Sequence, residues 1–354
     1  IFHCQITASN ISDNAGFSLI TVSPGEDVYS LYGHSAMRFC DSTNKIDIVF
    51  NYGIFSFYEE NFIYKFTKGE TDYMLGLQYF SDFVESYSEE GRSIYEIKLN
   101  LDKKQINKLY QLLSINSLPE NRKYRYNFYY DNCASRLRDL VEKSLDNSII
   151  WQNKLAKEKD FPFKIYHKAK IKEFYFNDSS FSMRDIMRIY SRANAWNDFG
   201  INLCIGSKSD NPAGFYHGMF LPEILMYEFY MAVYTENNVK RNLCSEIIEI
   251  KPLIKEVKED KISLSHPFIV FSLILTILLL LTFYEYKNKK HYKTIDLVIF
   301  SVVGILGCVV WFVSLVSVHE SVFPNINIIW IHPIYILSLI FVLWKKAYKF
   351  LMYS

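Results

Sequence analysis

A cysteine and a histidine in distant parts of the chain are the side chains whose surroundings best suit catalysis. Cys133 lies in "YYDNCASRLRD", and His34 lies in "SLYGHSAMRF". A thiolate is a strong nucleophile, and an imidazole within hydrogen-bond reach is a base that can form it. Structural roles are the alternatives, since a lone cysteine is commonly a small core residue and a lone histidine a buried one. The pair is compatible with a cysteine enzyme that forms a covalent intermediate.

A helix is predicted to begin at Cys133. The apolar residues that follow it keep the three-and-four spacing of one helix face; they are Ala134, Leu137, Leu140, Val141 and Leu145. Asp131 or Asn132 is suited to cap the helix. The unpaired amides and the dipole of a first turn favour an anion, so we expect the pKa of the Cys133 thiol to be lowered.

His34 is predicted to lie at the start of a β-hairpin. Its strands are "DVYSLYGHSAMRF" and "IDIVFNYGIFSF", joined by the polar turn "CDSTNK". If the turn is centred near Thr43, His34 lies opposite Asn51 and Tyr52. Asn51 is therefore the preferred residue to orient the imidazole, and Asp47 is the alternative.

The region from 9 to about 262 is predicted to be one α+β domain, with a core at about 15–145 and a helical extension at 146–262. "GFSLITVS" and "RSIYEIKLN" are typical of strands, and "LDKKQINKLYQLLSIN" of a helix. Two further helical patterns are "FSMRDIMRIYSRAN" and "MFLPEILMYEFYMAVY". "KPLIKEVKEDKISLSHP" is interpreted as a charged tether. Arg92, beside Gly91 at a strand start, is interpreted as a structural residue.

Three apolar segments near the end of the chain predict transmembrane helices, at 266–284, 294–318 and 328–344. The loop at 285–293 and the tail at 345–354 are rich in lysine, whereas the loop at 319–327 has none. Positively charged segments stay in the cytoplasm. We therefore expect a multi-pass protein of the bacterial inner membrane, with the large domain on the periplasmic side.

Composition adds weaker expectations. A net charge of +1, with no basic stripe outside the predicted cytoplasmic segments, gives no reason to expect nucleic acid as a partner. Residues 1–8 are interpreted as the remnant of a secretory signal. Of the six cysteines, Cys204 and Cys244 could pair in an oxidising compartment. We expect no metal ion and no cofactor.

Several motifs resemble those of the Lnb-type lipoprotein N-acyltransferases, a membrane-tethered family of Gram-negative bacteria. They are "YGHSAMRF", "NYGIFSFYEENFIYKFTKGETDYML", "YNFYYDNCASRLRD", "DFGINLCIG...MFLPEIL" and "HESVFPNINIIWIHP". The resemblance implies a circularly permuted papain-like, NlpC-type domain, in which the catalytic histidine precedes the cysteine, followed by a three-helix transmembrane bundle. It implies Cys133 as nucleophile and His34 as base. Asn51 or Asp47 would be the third residue by position only.

The implied reaction moves an acyl chain from a membrane phospholipid through a cysteine thioester to the α-amine of a diacylglyceryl apolipoprotein. Residues that could contact these substrates are Tyr32, Ser35, Asp131, Asn132, Arg136, Arg138, His319, Asn325 and Asn327. Structural roles are open for all of them: the arginines could form surface ion pairs, and the last three could cap helices. Two other functions are left open, a cysteine amidase or endopeptidase acting on peptidoglycan and a non-catalytic membrane-anchored binding protein.

Overall fold

The computed structural model describes residues 11–55, 60–151, 181–192, 194–252, 263–290 and 292–344. The chain divides into two compact units. Unit 1 comprises 1–190 and 211–258, and unit 2 comprises 191–210 and 259–354. The predicted signal remnant, most of the charged tether and the predicted tail lie outside the described residues.

A seven-stranded antiparallel sheet forms the centre of unit 1, with strand order β10-β5-β1-β2-β3-β4-β6. The strands are β1 (Ala15–Val22), β2 (His34–Asp41), β3 (Ile46–Ile54), β4 (Asp72–Tyr79), β5 (Ile94–Leu99), β6 (Lys123–Arg125) and β10 (Cys244–Lys251). A second sheet, of order β7-β8-β9, contains β7 (Ile149–Ile150), β8 (Val233–Glu236) and β9 (Val239–Asn242). The mixed α+β class predicted from the sequence is confirmed for the described residues.

Helices pack around the large sheet. In unit 1 they are α1 (Phe62–Lys68), α2 (Phe80–Glu89), α3 (Lys103–Ser117), α4 (Cys133–Ser144), α5 (Met183–Ser191, whose last residue belongs to unit 2), α7 (Gly214–Gly218) and α8 (Pro222–Met231). Phe83 of α2 is fully buried in an apolar cluster with Val22 and Ala36. Burial of such side chains stabilises the fold by about 1.5 to 3 kcal/mol each. This core supports the end of the sheet at which β2 begins.

The hairpin predicted around His34 is present, but its first strand begins later than expected. The strand starts at His34 rather than near Asp27, because residues 27–32 form turns. Asp41 pairs with Ile46 and Met37 with Phe50, which fixes the turn at 42–45. Continuing that register places His34 opposite Gly53, near the predicted partner Asn51.

The helix predicted after the Asp-Asn pair begins at Cys133, and Asn132 is its N-cap. The Asn132 side chain accepts hydrogen bonds from the amides of Ala134 and Ser135, and the Ser135 hydroxyl accepts one from the Asn132 amide. This reciprocal cap fixes the first turn. Helix α4 packs against α3, β2 and β3, which brings Cys133 toward the strands of the hairpin.

In the second half of unit 1 one prediction needs correction, and one strand was not predicted. The predicted helix through Tyr234 ends at Met231, and Tyr234 lies in β8. Strand β10, which the sequence did not indicate, pairs with β5 at the edge of the large sheet. Its partner lies about 150 residues earlier, so no local turn signal announces the pairing.

Unit 2 holds the apolar helices. They are α9 (Pro267–Asn288), α10 (Lys293–Val316) and α11 (Ile334–Leu343), with α6 (Ala195–Cys204) and 3₁₀ turns at Ser207–Asp210, Glu320–Val322 and Ile326–Ile329. Among the described residues, α9 and α10 are long and apolar enough to cross a membrane. The third segment predicted to span the membrane, 328–344, is not one unbroken helix, and its role as a span stays a prediction. The chain is non-helical at 330–333, because Pro333 disfavours a helical residue before it.

Candidate active site

The imidazole of His34 is held by Asn51. The His34 Nε2 and Asn51 Oδ1 atoms lie 2.6 Å apart, and Asn51 Nδ2 donates to Oε1 of Gln78 at 3.4 Å. This second contact turns the Asn51 oxygen toward the imidazole. An amide oxygen only accepts hydrogen bonds, so Nε2 carries the proton and Nδ1 presents its lone pair. Asn51 therefore selects the tautomer in which Nδ1 is the base.

Asp47 lies on the same strand as Asn51 but serves a different partner. Its carboxylate accepts two hydrogen bonds of 2.8 Å from the Arg38 guanidinium, which also donates to Glu96 at 2.9 and 3.0 Å. In the register of the hairpin Asp47 pairs with Cys40, far along β2 from His34. The structure thus corrects the alternative: Asp47 contributes to an ion-pair network and is not placed to orient the imidazole.

Cys133 and His34 both lie beside Gly53. A Cβ atom built on Gly53 would lie 3.7 Å from Cβ of Cys133 and 3.7 Å from Cε1 of His34. The two side-chain carbons are therefore no more than twice that distance apart. Gly53 has φ of +100°, a conformation that favours glycine, and it follows Tyr52 where the pairing with β4 shifts register. This irregularity in β3 opens the space that the thiol and the imidazole share.

Both groups of this pair are uncharged at neutral pH. Burial raises the pKa of the Cys133 thiol, although the backbone amides of Ser35, Ala134 and Cys133 and the charge of Arg92 favour the thiolate. Burial also lowers the pKa of His34 to about 4. The hydrogen bond with Asn51 acts to raise that pKa, and the charge of Arg92 acts to lower it. The prediction that the thiol pKa is lowered is wrong in direction. Loss of hydration destabilises the thiolate more than the amides at the helix start stabilise it.

Tyrosines line the surroundings of the sulfur, a feature that the sequence pattern did not reveal. They are Tyr73, Tyr87, Tyr124 and Tyr126. Burial is the main cause that raises the pKa of each phenol, and negative charge on Cys133 raises it further. The 17% aromatic content of the chain indicates an interior rich in aromatic rings. It does not show which rings lie near the sulfur, because the helices and strands that carry them are distant in sequence. The surroundings of the sulfur are thus rich in buried or half-buried aromatic rings whose phenols stay neutral at neutral pH.

Several residues predicted to contact substrate have structural contacts. Arg136 forms a bidentate ion pair with Asp131 at 2.5 and 2.8 Å. Arg138 donates to Asp139 at 2.8 Å and to the carbonyl of Tyr216 at 2.9 Å. Asn132, already the cap of α4, donates to two backbone carbonyls. These contacts give the three side chains structural roles, and their predicted contact with lipid or peptide stays a prediction.

Tyr32 and Ser35, two other residues predicted to contact substrate, lie on either side of His34 in the sequence. Tyr32, two residues before His34, packs its ring 5.0 Å from that of Phe128 and 5.9 Å from that of Tyr190. Ser35 is fully buried, and none of the described residues forms a hydrogen bond with its hydroxyl. Its backbone amide acts on the Cys133 sulfur. Ser35 thus contributes through its main chain.

In unit 2 the predicted substrate residues connect backbone segments. Asn325 is buried and donates to the carbonyls of Leu203 and Cys204 at the end of α6. Asn327 donates to the carbonyls of Asn202 and Leu203. The His319 amide donates to the Ser317 hydroxyl. The two asparagines satisfy carbonyls that a helix end leaves without partners.

The cysteines that the structure describes are free thiols. Cys204 and Cys244 are among them, so the pairing considered from the sequence is not formed. Within the described ranges no group of three histidine, cysteine or acidic side chains could hold a metal ion. Cys133 is likewise free, so its sulfur is not occupied by a disulfide and can act as a nucleophile.

The fold and site together define a class of protein: a mixed α+β domain with a partly buried Cys–His pair beside a buried Asn51, on a chain with two apolar helices long enough to span a membrane. Two family models match the chain: the Lnb N-terminal periplasmic domain over residues 3–170, and the Lnb transmembrane domain over residues 258–353. Together they cover about three quarters of the sequence. The chain belongs to the Lnb family, and is thus a lipoprotein-processing membrane protein with a periplasmic domain. No curated protein and no solved structure matches it.

Proposed function

We propose that the chain is a lipoprotein N-acyltransferase that works through a thioester on Cys133. The observation that carries this proposal is that Cys133 and His34 both lie beside Gly53, with Nε2 of His34 hydrogen-bonded to Asn51. A nucleophile, a base and a residue that orients the base are the parts that covalent acyl transfer needs. A histidine on β2 that precedes a cysteine at a helix start also supports the circularly permuted papain-like assignment.

In the first half reaction, Nδ1 of His34 removes the thiol proton as the Cys133 sulfur attacks an ester carbonyl of a phospholipid. The ester C–O bond breaks, and the lysophospholipid leaves with the proton that His34 returns to it. The acyl chain remains as a thioester on the sulfur. The backbone amides of Cys133 and Ser35, which act on that sulfur, are suited to hold the oxyanion of the tetrahedral intermediate.

In the second half reaction the α-amine of a diacylglyceryl cysteine attacks the thioester. The C–N bond forms as the C–S bond breaks, and His34 carries the amine proton back to the sulfur. The product is an amide, and the enzyme regains its thiol. An uncharged thiol and an uncharged imidazole suit these two half reactions. Charge then develops only when an acyl carbonyl is present to take up part of it.

The surroundings favour transfer over hydrolysis. Tyr73 and Tyr124 are each only 7% exposed, and both lie close enough to Cys133 for charge on the sulfur to act on their phenols. Buried aromatic rings near the sulfur help to keep water from a thioester. An anchored catalyst also avoids extracting an acyl chain from the bilayer, which costs about 0.8 kcal/mol per methylene.

The test uses the full chain in phosphatidylethanolamine vesicles with a diacylated lipopeptide acceptor. Mass spectrometry follows the Cys133 peptide and the acceptor. We expect one added acyl chain on Cys133 before the acceptor is supplied, and on the acceptor amine afterwards. Cys133→Ala should abolish both signals, whereas Cys40→Ser, which alters another partly buried free thiol, should leave them.

Two results would count against the proposal. Release of free fatty acid with no gain of mass on the acceptor would indicate a hydrolase, the main alternative for this type of site. Absence of any adduct on Cys133, with bound lipopeptide recovered unchanged, would indicate a binding protein.

A further inference from the structure

A buried arginine, Arg92, contacts Tyr87, the tyrosine on which the His34 ring stacks. Arg92 is 6% exposed; its Nε donates to the Ser23 carbonyl at 2.7 Å, and its Nη1 to Glu90 at 3.0 Å. Its Nη2 is buried, and none of the residues that the structure describes accepts a hydrogen bond from it. A buried donor without a partner is costly, so its retention points to a role beyond packing.

Tyr87 connects this arginine to the base. The Arg92 guanidinium carbon lies 4.8 Å from the centre of the Tyr87 ring, and the His34 ring stacks on the same tyrosine at 5.9 Å with an angle of 28°. Ser23, which anchors Nε, directly follows Val22, the strand partner of His34. The guanidinium is thus held at a fixed place by the same strand pair that positions the imidazole.

The positive charge of Arg92 is only partly balanced. Its single ion-pair partner among the described residues, Glu90, is 49% exposed, so water screens that carboxylate. A buried and weakly compensated charge acts over a longer distance than a solvated one. Arg92 is therefore the cation whose field reaches the site.

We propose that Arg92 is a positioning residue of the Cys133–His34 pair, whose fixed positive charge favours negative charge on the sulfur and opposes a proton on the imidazole. This inference rests on the proposed function, in which Cys133 is the nucleophile. The charge of Arg92 lowers the pKa of both groups, which agrees with its placement. It would stabilise the attacking sulfur and drive the proton from His34 to the leaving group.

Other titratable groups that face the sulfur come from α2, β4, β6 and the residue after β6. They are Tyr87, Tyr73, Tyr124 and Tyr126, all with raised pKa values. They stay neutral below about pH 10, the usual value for a phenol. Between about pH 6 and 10 these phenols are therefore neutral, whereas Arg92 is charged and acts on both Cys133 and His34; Glu90 is the ion-pair partner of Arg92.

The test is the rate at which iodoacetamide alkylates Cys133 in the full chain in detergent, measured against pH and resolved by peptide mass. In Arg92→Met we expect the midpoint of the rate profile to rise by about 0.5 to 1 pH unit, as for loss of a nearby opposite charge. Arg92→Lys keeps the charge and should stay close to the wild type. Arg125→Met removes an exposed arginine paired with Asp72 and serves as the control.

Glu90→Gln provides a second readout if Arg92→Met does not fold. This variant keeps the Arg92 guanidinium but removes the carboxylate that partly neutralises it, so the midpoint of the alkylation profile should fall. If Arg92 were only structural, the midpoint of the alkylation profile would not shift in Glu90→Gln, and Arg92→Lys and Arg92→Met would have the same midpoint. Either result overturns the inference.

Alkylation needs neither lipid nor acceptor, so the two proposals fail separately. Acylated Cys133 together with an unshifted midpoint in the folded Arg92→Met variant would refute the role of Arg92 alone. A shifted midpoint without acylation of Cys133 would support the electrostatic role and refute the acyltransferase.

Discussion

His34 Nε2 and Asn51 Oδ1 lie 2.6 Å apart, seventeen residues from each other in sequence and on neighbouring strands. This contact decides which imidazole nitrogen carries the proton. Replacing Asn51 by alanine should therefore let both tautomers form and the ring turn. We expect the rate of Cys133 acylation to fall about 10- to 100-fold, the effect of losing one or two hydrogen-bond energies at the base.

Gln78→Ala is the matched control for that experiment, since Gln78 contacts Asn51 by a longer hydrogen bond of 3.4 Å. Its effect should be smaller than that of Asn51→Ala. Rapid-quench measurement of the acyl-enzyme gives the rate directly. An Asn51→Ala enzyme as fast as the wild type would show that the ring is oriented by other contacts.

The low pKa of His34 predicts an unusually acidic lower limit of activity. The base works only when neutral, so activity is lost as the pH falls through its pKa, which burial lowers to about 4. The acid limb of kcat/KM should have its midpoint near that value and not near about 6.5, where an unperturbed histidine titrates. Initial rates of acyl transfer between about pH 3.5 and 8 check this.

A carboxylate in place of the Asn51 amide should move that limb. Asn51→Asp puts a negative charge beside the imidazolium, raises the pKa of His34 and shifts the midpoint upward. A wild-type midpoint between about 6 and 7, unchanged in Asn51→Asp, would contradict the buried and neutral imidazole.

The network of Arg38, Asp47 and Glu96 should matter for stability and not for catalysis. Glu96 is only 2% exposed and depends on Arg38 for compensation. Arg38→Met leaves that carboxylate buried and unpaired, so we expect a loss of about 3 kcal/mol in the free energy of unfolding. Asp47→Asn should cost about 1 kcal/mol or less, since the Asp47 side chain is 44% exposed.

Thermal unfolding followed by circular dichroism measures both variants, with acyl transfer assayed at a temperature where each is folded. Asp47→Asn should keep full activity. A large loss of activity in folded Asp47→Asn would restore Asp47 as a candidate for the third catalytic residue.

Local signals account for the parts of the site that could be predicted. Asn132 and the apolar spacing after it place the helix start at Cys133, and the polar turn at 42–45 brings Asn51 back to His34. Both signals lie within one element or one hairpin, where capping and turn geometry act at short range.

Features that depend on distant packing could not be predicted. The direction of the Cys133 pKa shift follows from how deeply the thiol is buried, and the helix start alone pointed the other way. The contacts of Arg92 with Tyr87 and Ser23, and the ion pair of Arg136 with Asp131, likewise depend on neighbours that the sequence pattern does not specify. Desolvation and charge pairing are set by tertiary neighbours, which composition and spacing do not specify.

Gly53 provides a test of the space between the thiol and the imidazole. An alanine there must adopt φ near +100°, which costs about 1 to 2 kcal/mol, and its methyl group would contact both Cys133 and His34. We expect Gly53→Ala to lose acylation activity by at least about tenfold at a temperature where it is folded, because the methyl group occupies the space needed by the acyl carbonyl.

Gly214→Ala is the control for backbone strain. Gly214 also has a positive φ, of +61°, and a Cβ atom there would meet nothing within 4 Å. It should lower the melting temperature to a similar degree and keep acylation intact, since residue 214 does not adjoin the pair. Equal activity of the two alanine variants, measured as the rate of acyl-enzyme formation, would show that the space beside Gly53 is not where the substrate reacts.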